Sequence, residues 1–263
     1  MKTPTTNHRI KISLITLIVF AIYKFLQKSS FADIMYGLDE YIDNILVSYG
    51  ITYVLVGIPI FIGLLLLHKP AQLLESVGLN KSIFEGLGVG LLSTIPLFIG
   101  FSFLFKFESE TTVGIVIESA VYAAFFEELY YRAFLFGQLF KYGKLGFLPS
   151  IIIGALIFAA GHLYQSQDPM ELVMIFLVTF AGALLFAWLY AEWNFNLWVP
   201  IGLHFFMNLA WLLFDGTGTA GGNLYANIFR LITILIVITL TIVYKRRNGI
   251  DLNVNKKTVL STF

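Results

Sequence analysis

Apolar residues run in long blocks along this chain, and polar ones collect between the blocks. A helix needs about 20 mostly apolar residues to cross about 30 Å of hydrocarbon. Eight stretches meet or approach that length, at about 10–27, 45–67, 83–105, 112–137, 148–164, 171–190, 197–214 and 224–244. The predicted fold class is therefore all-α, a polytopic transmembrane helix bundle of about eight spans. The first span is the weakest, because Lys11 and Lys24 sit near its ends, where long side chains can snorkel to the headgroups. Ser30-Phe31-Ala32 offers a small-x-small cleavage pattern, but the long apolar run and Lys28 favour a retained span. The polar tail after Tyr244 is expected to be mobile. Gly86-Leu87-Gly88-Val89-Gly90 lies inside an apolar span, so it reads as close helix packing through Gly86 and Gly90 rather than as a phosphate loop. Ala155 with Ala159, and Gly182 near its alanines, read the same way, and Pro59 and Pro96 predict kinks.

Composition agrees with a membrane chain: 58% hydrophobic and 13% charged, against about 45–50% and about 25% in soluble domains. Mean hydropathy is +0.82. The absence of cysteine excludes thiol catalysis, thiolate metal sites and disulfide scaffolds. A net charge of +1 offers no basic excess for a nucleic-acid partner. Position along the chain makes the charges informative, since basic residues are retained on the cytoplasmic side. Lys2, Arg9, Lys11, Lys69, Lys81, Lys141, Lys144, Lys245, Arg246, Arg247, Lys256 and Lys257 fall on one side; Lys24, Lys28 and Lys106 fall on the other, the second group in company with most of the acids. The expected location is the cell membrane, multi-pass, with both termini cytoplasmic and residues 28–44 forming an outer loop.

An ionisable side chain at the bilayer centre costs about 2.5–3.5 kcal/mol on insertion scales, so each needs a reason. The fourth span holds Glu118, Glu127, Glu128 and Arg132; the fifth holds His162, the seventh His204 and Asn208, and the eighth Arg230. Residues four apart share a helix face, so Glu128 and Arg132 are expected to form a buried ion-pair brace. Glu127 points elsewhere, with no basic residue four positions away, and Tyr131 stands where it could donate a hydrogen bond to it. Phe158 lies one turn from His162, and His204 one turn from Asn208. Glu118, nine residues before Glu127, falls on nearly the opposite face of an ideal helix. Each histidine alone reads as a packing residue; a carboxylate, two imidazoles and an amide on three spans read more economically as one polar cavity.

Such a set can activate water. A desolvated glutamate can take a proton from water and return it to a leaving amine, or a divalent metal such as zinc could lower the pKa of its water, with Glu127, His162 and His204 as ligands. His204 and Asn208 can stabilise an oxyanion. Peptide hydrolysis fits this inventory; serine proteolysis does not, since no G-x-S-x-G elbow is present.

Glu127-Glu128-Leu129-Tyr130-Tyr131-Arg132 reads as E-E-x-x-x-R, Phe158-Ala159-Ala160-Gly161-His162 as F-x-x-x-H, and His204-Phe205-Phe206-Met207-Asn208 as H-x-x-x-N. In order and spacing these resemble the three motifs of the CPBP family, the CAAX-protease and bacteriocin-processing intramembrane endopeptidases formerly called the Abi group, in its bacterial type. The resemblance covers about residues 112–214. It implies an endopeptidase in which Glu127 activates water with help from His162, His204 and Asn208 bind the oxyanion, and Glu128, Arg132, Phe158 and Tyr131 give support. It leaves open whether a metal or the glutamate alone does the work. It also implies a membrane-embedded or lipid-anchored protein or peptide substrate, with bacteriocin immunity, peptide maturation and surface anchoring as candidate roles. The division that follows is 1–111 for N-terminal helices, 112–214 for the catalytic core and 215–263 for the last helix and cytoplasmic tail. A proton-coupled transporter, with Glu118 and Glu127 in a relay, and a non-catalytic immunity or scaffold protein are the alternatives. At 1.5 Å per residue, Glu127 and His162 lie about 15 and 20 Å from the cytoplasmic ends of their spans and His204 about 10 Å, a spread that only tilt or shifted boundaries can reconcile with one site.

Overall fold

A computed structural model describes residues 6–216 and 218–261; Lys2, counted above for orientation, lies outside them. The chain is all-α. Its helices are α1 (Thr6–Ile42), α2 (Ile45–Val56), α3 (Ile58–Leu67), the short α4 (Leu73–Val77), α5 (Ile83–Leu104), α6 (113–142), α7 (Phe147–Ala160), α8 (Pro169–Glu192), α9 (Trp198–Leu213) and α10 (Leu224–Arg247). Their starts are written in the sequence. Asn44, Ser82, Thr112, Asp168 and Asn223 each accept a hydrogen bond from the backbone N–H three residues on, satisfying a donor that the helix leaves open.

Five helices are long and apolar enough to span a bilayer, and α2 with α3 makes a sixth if the pair, bent by 41°, is one span. The expectation of eight is thus not met on length and composition. The break falls at Gly57, with Pro59 in the first turn of α3, where its missing N–H costs nothing. The stretch expected at 197–214 folds as the 16-residue α9, short for a span. The stretch expected at 112–137 becomes α6, whose ordinary turns alternate with wide π turns at Ile117–Tyr122, Glu128–Phe136 and Gln138–Tyr142.

The first helix corrects the outer loop expected at 28–44, because α1 runs 37 residues without a break, about 55 Å at 1.5 Å per residue. Polar residues from Lys28 onwards end the apolar run but not the helix. The tail is a second correction. Residues 250–261 dock across the ends of α7 and α8: Phe147 and Leu148 donate backbone hydrogen bonds to Thr258 and Val259, and Leu145 bridges Ser261. The tail is held by Glu192, a carboxylate only 3% exposed, which accepts from Lys245 Nζ and from the backbone N–H groups of Asn253 and Val254.

Helix packing sets the depth of α9. A Cβ on Gly86 would lie 2.2 Å from the Trp198 carbonyl carbon, and one on Gly90 would lie 2.4 Å from that of Gly202. The two backbones therefore touch, as the small-residue spacing predicts. Ala155 and Ala159 are likewise fully buried, whereas Gly182 faces open space and is not a packing contact. At the other end of α9, β1 (Lys106–Phe107) pairs antiparallel with β2 (Phe214–Asp215). Thr111 Oγ1 donates to the Leu212 carbonyl at 2.7 Å. These ties bind the start of α6 to the end of α9 and fix the register between them. Outward, Leu14, Ile99, Leu177 and Leu231 leave apolar faces exposed on α1, α5, α8 and α10, as helices in contact with lipid do.

Candidate active site

Glu127 and Glu128 sit where the central ordinary turn of α6 passes into a wide one. Wide i→i+5 turns recur at functional sites because they re-aim side chains and free carbonyls. Both effects occur here. Glu128 is fully buried and bridges two helices: Oε1 accepts from His204 Nδ1 at 2.8 Å, and Oε2 meets Arg132 Nε at 3.2 Å in an ion pair. The brace expected between Glu128 and Arg132 is present, and it extends to His204. Upstream, Asn208 Nδ2 donates to the Ser119 carbonyl at 2.9 Å, and Ser119 lies in the first wide turn. The Asn208 amide is thereby oriented by α6 rather than by its own helix.

With Nδ1 committed to Glu128, His204 turns Nε2 towards Glu127, whose Oε2 stands 4.0 Å away. That oxygen is buried and makes no hydrogen bond, although the Glu127 side chain as a whole is 23% exposed. Buried polar atoms are nearly always satisfied, so an unsatisfied carboxylate oxygen needs an explanation. The expected hydrogen bond from Tyr131 to this atom is not formed. The Tyr131 ring instead packs edge-on against Phe20 and Phe158, at centroid distances of 5.2 and 5.1 Å.

Arg132 is fully buried. Its guanidinium lies 4.4 Å from the Phe158 ring centroid and 5.3 Å from that of Phe186, an arrangement that compensates a desolvated cation without a second anion. Phe158 in turn lies 4.5 Å from the His162 ring, and Phe186 lies 5.4 Å from the His204 ring. All three motifs therefore belong to one contiguous cluster. His162 stands at its edge. It bonds through Nδ1 to the Phe158 carbonyl at 2.8 Å, and among the described residues no hydrogen bond or ion pair joins it to Glu127, Glu128 or His204. Glu118 likewise makes none with Glu127 or either histidine.

Of the suggested ligand trio Glu127, His162 and His204, only His204 and Glu127 approach one another, at 4.0 Å, and among the described residues no group of three or more His, Asp or Glu side chains is placed to hold a metal ion.

Three residues near the site were not singled out for it by the sequence. Phe186 carries no motif and is found only through α8. Ser119 contributes a carbonyl, which no side-chain pattern can signal. Lys24 was read as a snorkelling end of the first span, yet its Nζ lies 5.6 Å from the Tyr131 ring centroid.

An apolar helix bundle with two glutamates, an arginine and a histidine gathered in its interior is a polytopic membrane protein with a buried ionic site. Residues 109–210 match the family described as Type II CAAX prenyl endopeptidase Rce1-like, which places a CPBP-type domain over α6 to α9 and over every motif residue. The match supports an intramembrane endopeptidase of CAAX type in general, a protease located in a membrane and acting on membrane-associated protein. No curated protein and no solved structure matches the chain.

Proposed function

We propose that the chain hydrolyses a peptide bond of a membrane-embedded or lipid-anchored substrate, with Glu127 as general base. The observation that carries this reading is the buried Glu127 Oε2, which accepts no hydrogen bond and stands 4.0 Å from His204 Nε2. A water at hydrogen-bond distance, about 2.8 Å, from both atoms would subtend about 90° at its oxygen, an acceptable geometry for water. Glu127 takes a proton from this water as its oxygen attacks the scissile carbonyl carbon. The oxyanion that forms is met by His204 Nε2–H and by the second Asn208 N–H, the first being engaged by Ser119. Collapse breaks the C–N bond, and the proton held by Glu127 passes to the departing amine. His162 sits one aromatic ring away, packed against Phe158.

In this reading both termini face the cytoplasm, supported by the loop charges. In this cysteine-free chain, Ser109→Cys and Asp251→Cys labelled one at a time with a membrane-impermeant maleimide test it, and labelling of Asp251→Cys from outside the cell would refute that orientation. The activity itself is tested with purified protein in proteoliposomes and a lipidated peptide library. Cleavage that is absent, or that survives Glu127→Gln unchanged, would defeat the proposal.

A further inference from the structure

Lys24 is a half-buried cation that the reaction above does not use. It sits inside α1, where a snorkelling lysine would extend along the helix to the headgroups. Its ammonium is instead folded inwards: Nζ donates to Gln27 Oε1 at 2.5 Å and lies over the face of Tyr131, one turn beyond Glu127 on α6. The carboxylate whose charge reaches it is that of Glu127, but the two stand beyond ion-pair distance. Among the described residues Lys24 belongs to no ion pair, unlike Arg132 and Lys245, which each have a carboxylate. An ammonium has three donors, of which Gln27 takes one. Tyr131 packs against Phe158, and Phe158 against His162, so the cation stands beside the same aromatic wall that borders the site.

We propose that Lys24 is a carboxylate-recognition subsite, which binds an anionic group of the peptide a short distance along the chain from the scissile bond. This rests on the protease reading and deepens it. The ammonium on a tyrosine face suits a carboxylate that has left water, because two strong donors replace its lost hydration. The carboxylate is either the free C-terminus of the peptide or an Asp or Glu side chain. In both cases Lys24 contributes binding rather than chemistry, so its effect falls on KM more than on kcat.

The test uses the full chain in proteoliposomes and one N-palmitoylated, mixed-sequence hexapeptide library made in three versions: a neutral sequence with a free C-terminus, the same with a C-terminal amide, and an amidated version carrying one Asp or Glu. The wild type is expected to cleave the free-acid or the acidic-residue version at least tenfold better in kcat/KM than the neutral amide, through KM, and whichever version gains identifies the carboxylate. Lys24→Met, or Lys24→Gln if the first does not fold, brings the ratio to within about twofold, and Lys24→Arg keeps it. Equal cleavage of all three versions by the wild type, or a ratio that persists in Lys24→Met or Lys24→Gln, overturns the subsite. Glu127→Gln separates the two readings: equal but Glu127-dependent cleavage sinks the subsite alone, whereas Glu127-independent cleavage, or none, sinks the protease reading and the subsite with it.

Discussion

Two glutamates of the same membrane protein, Glu192 and Glu127, differ in how far their carboxylates are satisfied, and on the proposed function also in what they do. Glu192, at the end of α8, is satisfied by Lys245 and by two backbone N–H groups of the tail. Glu127, in the middle of α6, keeps one oxygen buried and without a hydrogen bond, 4.0 Å from His204 Nε2. The Glu192 side chain is fully buried, whereas that of Glu127 is 23% exposed. Satisfaction separates them further: three donors lock Glu192 into the fold, while Glu127 Oε2 accepts no hydrogen bond and, in the proposed reaction, meets the water.

Four experiments press on that contrast. The largest effect is expected from Glu127→Gln, which removes the base yet leaves the shape: cleavage falls about 10²–10⁴-fold, with stability changed by less than about 1 kcal/mol. A loss of thermal stability as large as that of activity would make Glu127 structural too. Glu192→Ala should behave in the opposite way. It leaves Lys245 buried without its anion, costs about 3–5 kcal/mol, and exposes residues 250–261 to limited proteolysis, while the folded fraction still cleaves. Smaller again is Trp193→Phe, whose Nε1–H donates to Thr241 Oγ1 at 2.9 Å near the same clamp; loss of one such bond costs about 1 kcal/mol in chemical denaturation.

The smallest effect concerns pH. His68, at the end of α3, has its pKa pushed below the usual 6.5, by burial first and by nearby Lys141, against a hydrogen bond with Gln138. Its Nε2 lies 2.6 Å from Gln138 Oε1, and its ring packs 4.6 Å from that of Tyr142. A base held neutral in the fold but protonated when unfolded contributes stability that is complete above about pH 6.5 and is lost as pH falls below it. Between pH 7 and 5 the wild-type Tm should therefore drop further than that of His68→Gln. A parallel drop would assign the acid sensitivity elsewhere.

Much of this was legible before any coordinates. The four-residue spacings put Glu128 on Arg132 and Phe158 on His162, and Gly86 with Gly90 marked the close approach of α5 and α9. What escaped has physical causes. Hydropathy reports where a chain leaves hydrocarbon and not where a helix ends, so Lys28, Asp33 and Asp39 looked like a loop although α1 continues through them. Side-chain identity does not mark an i→i+5 turn, so the Ser119 carbonyl that holds Asn208 had no signature. Tyr131 was matched to Glu127 on ideal α geometry, and the wide turn at Glu128–Phe136 gave its ring to Phe20 and Phe158 instead. Polarity made the tail look solvated, whereas its N–H groups were the donors that Glu192 required.

That docked tail bears on how the protein can be handled. At Gly146 a Cβ would fall 2.1 Å from the Leu260 carbonyl carbon, so the two backbones touch with no room for a side chain. An affinity tag or fluorescent fusion added beyond Ser261 therefore hangs from a seam of the fold rather than from a loose thread. Purification handles belong elsewhere, and a fusion that lowers yield there would be reporting a pried seam, not a toxic cargo.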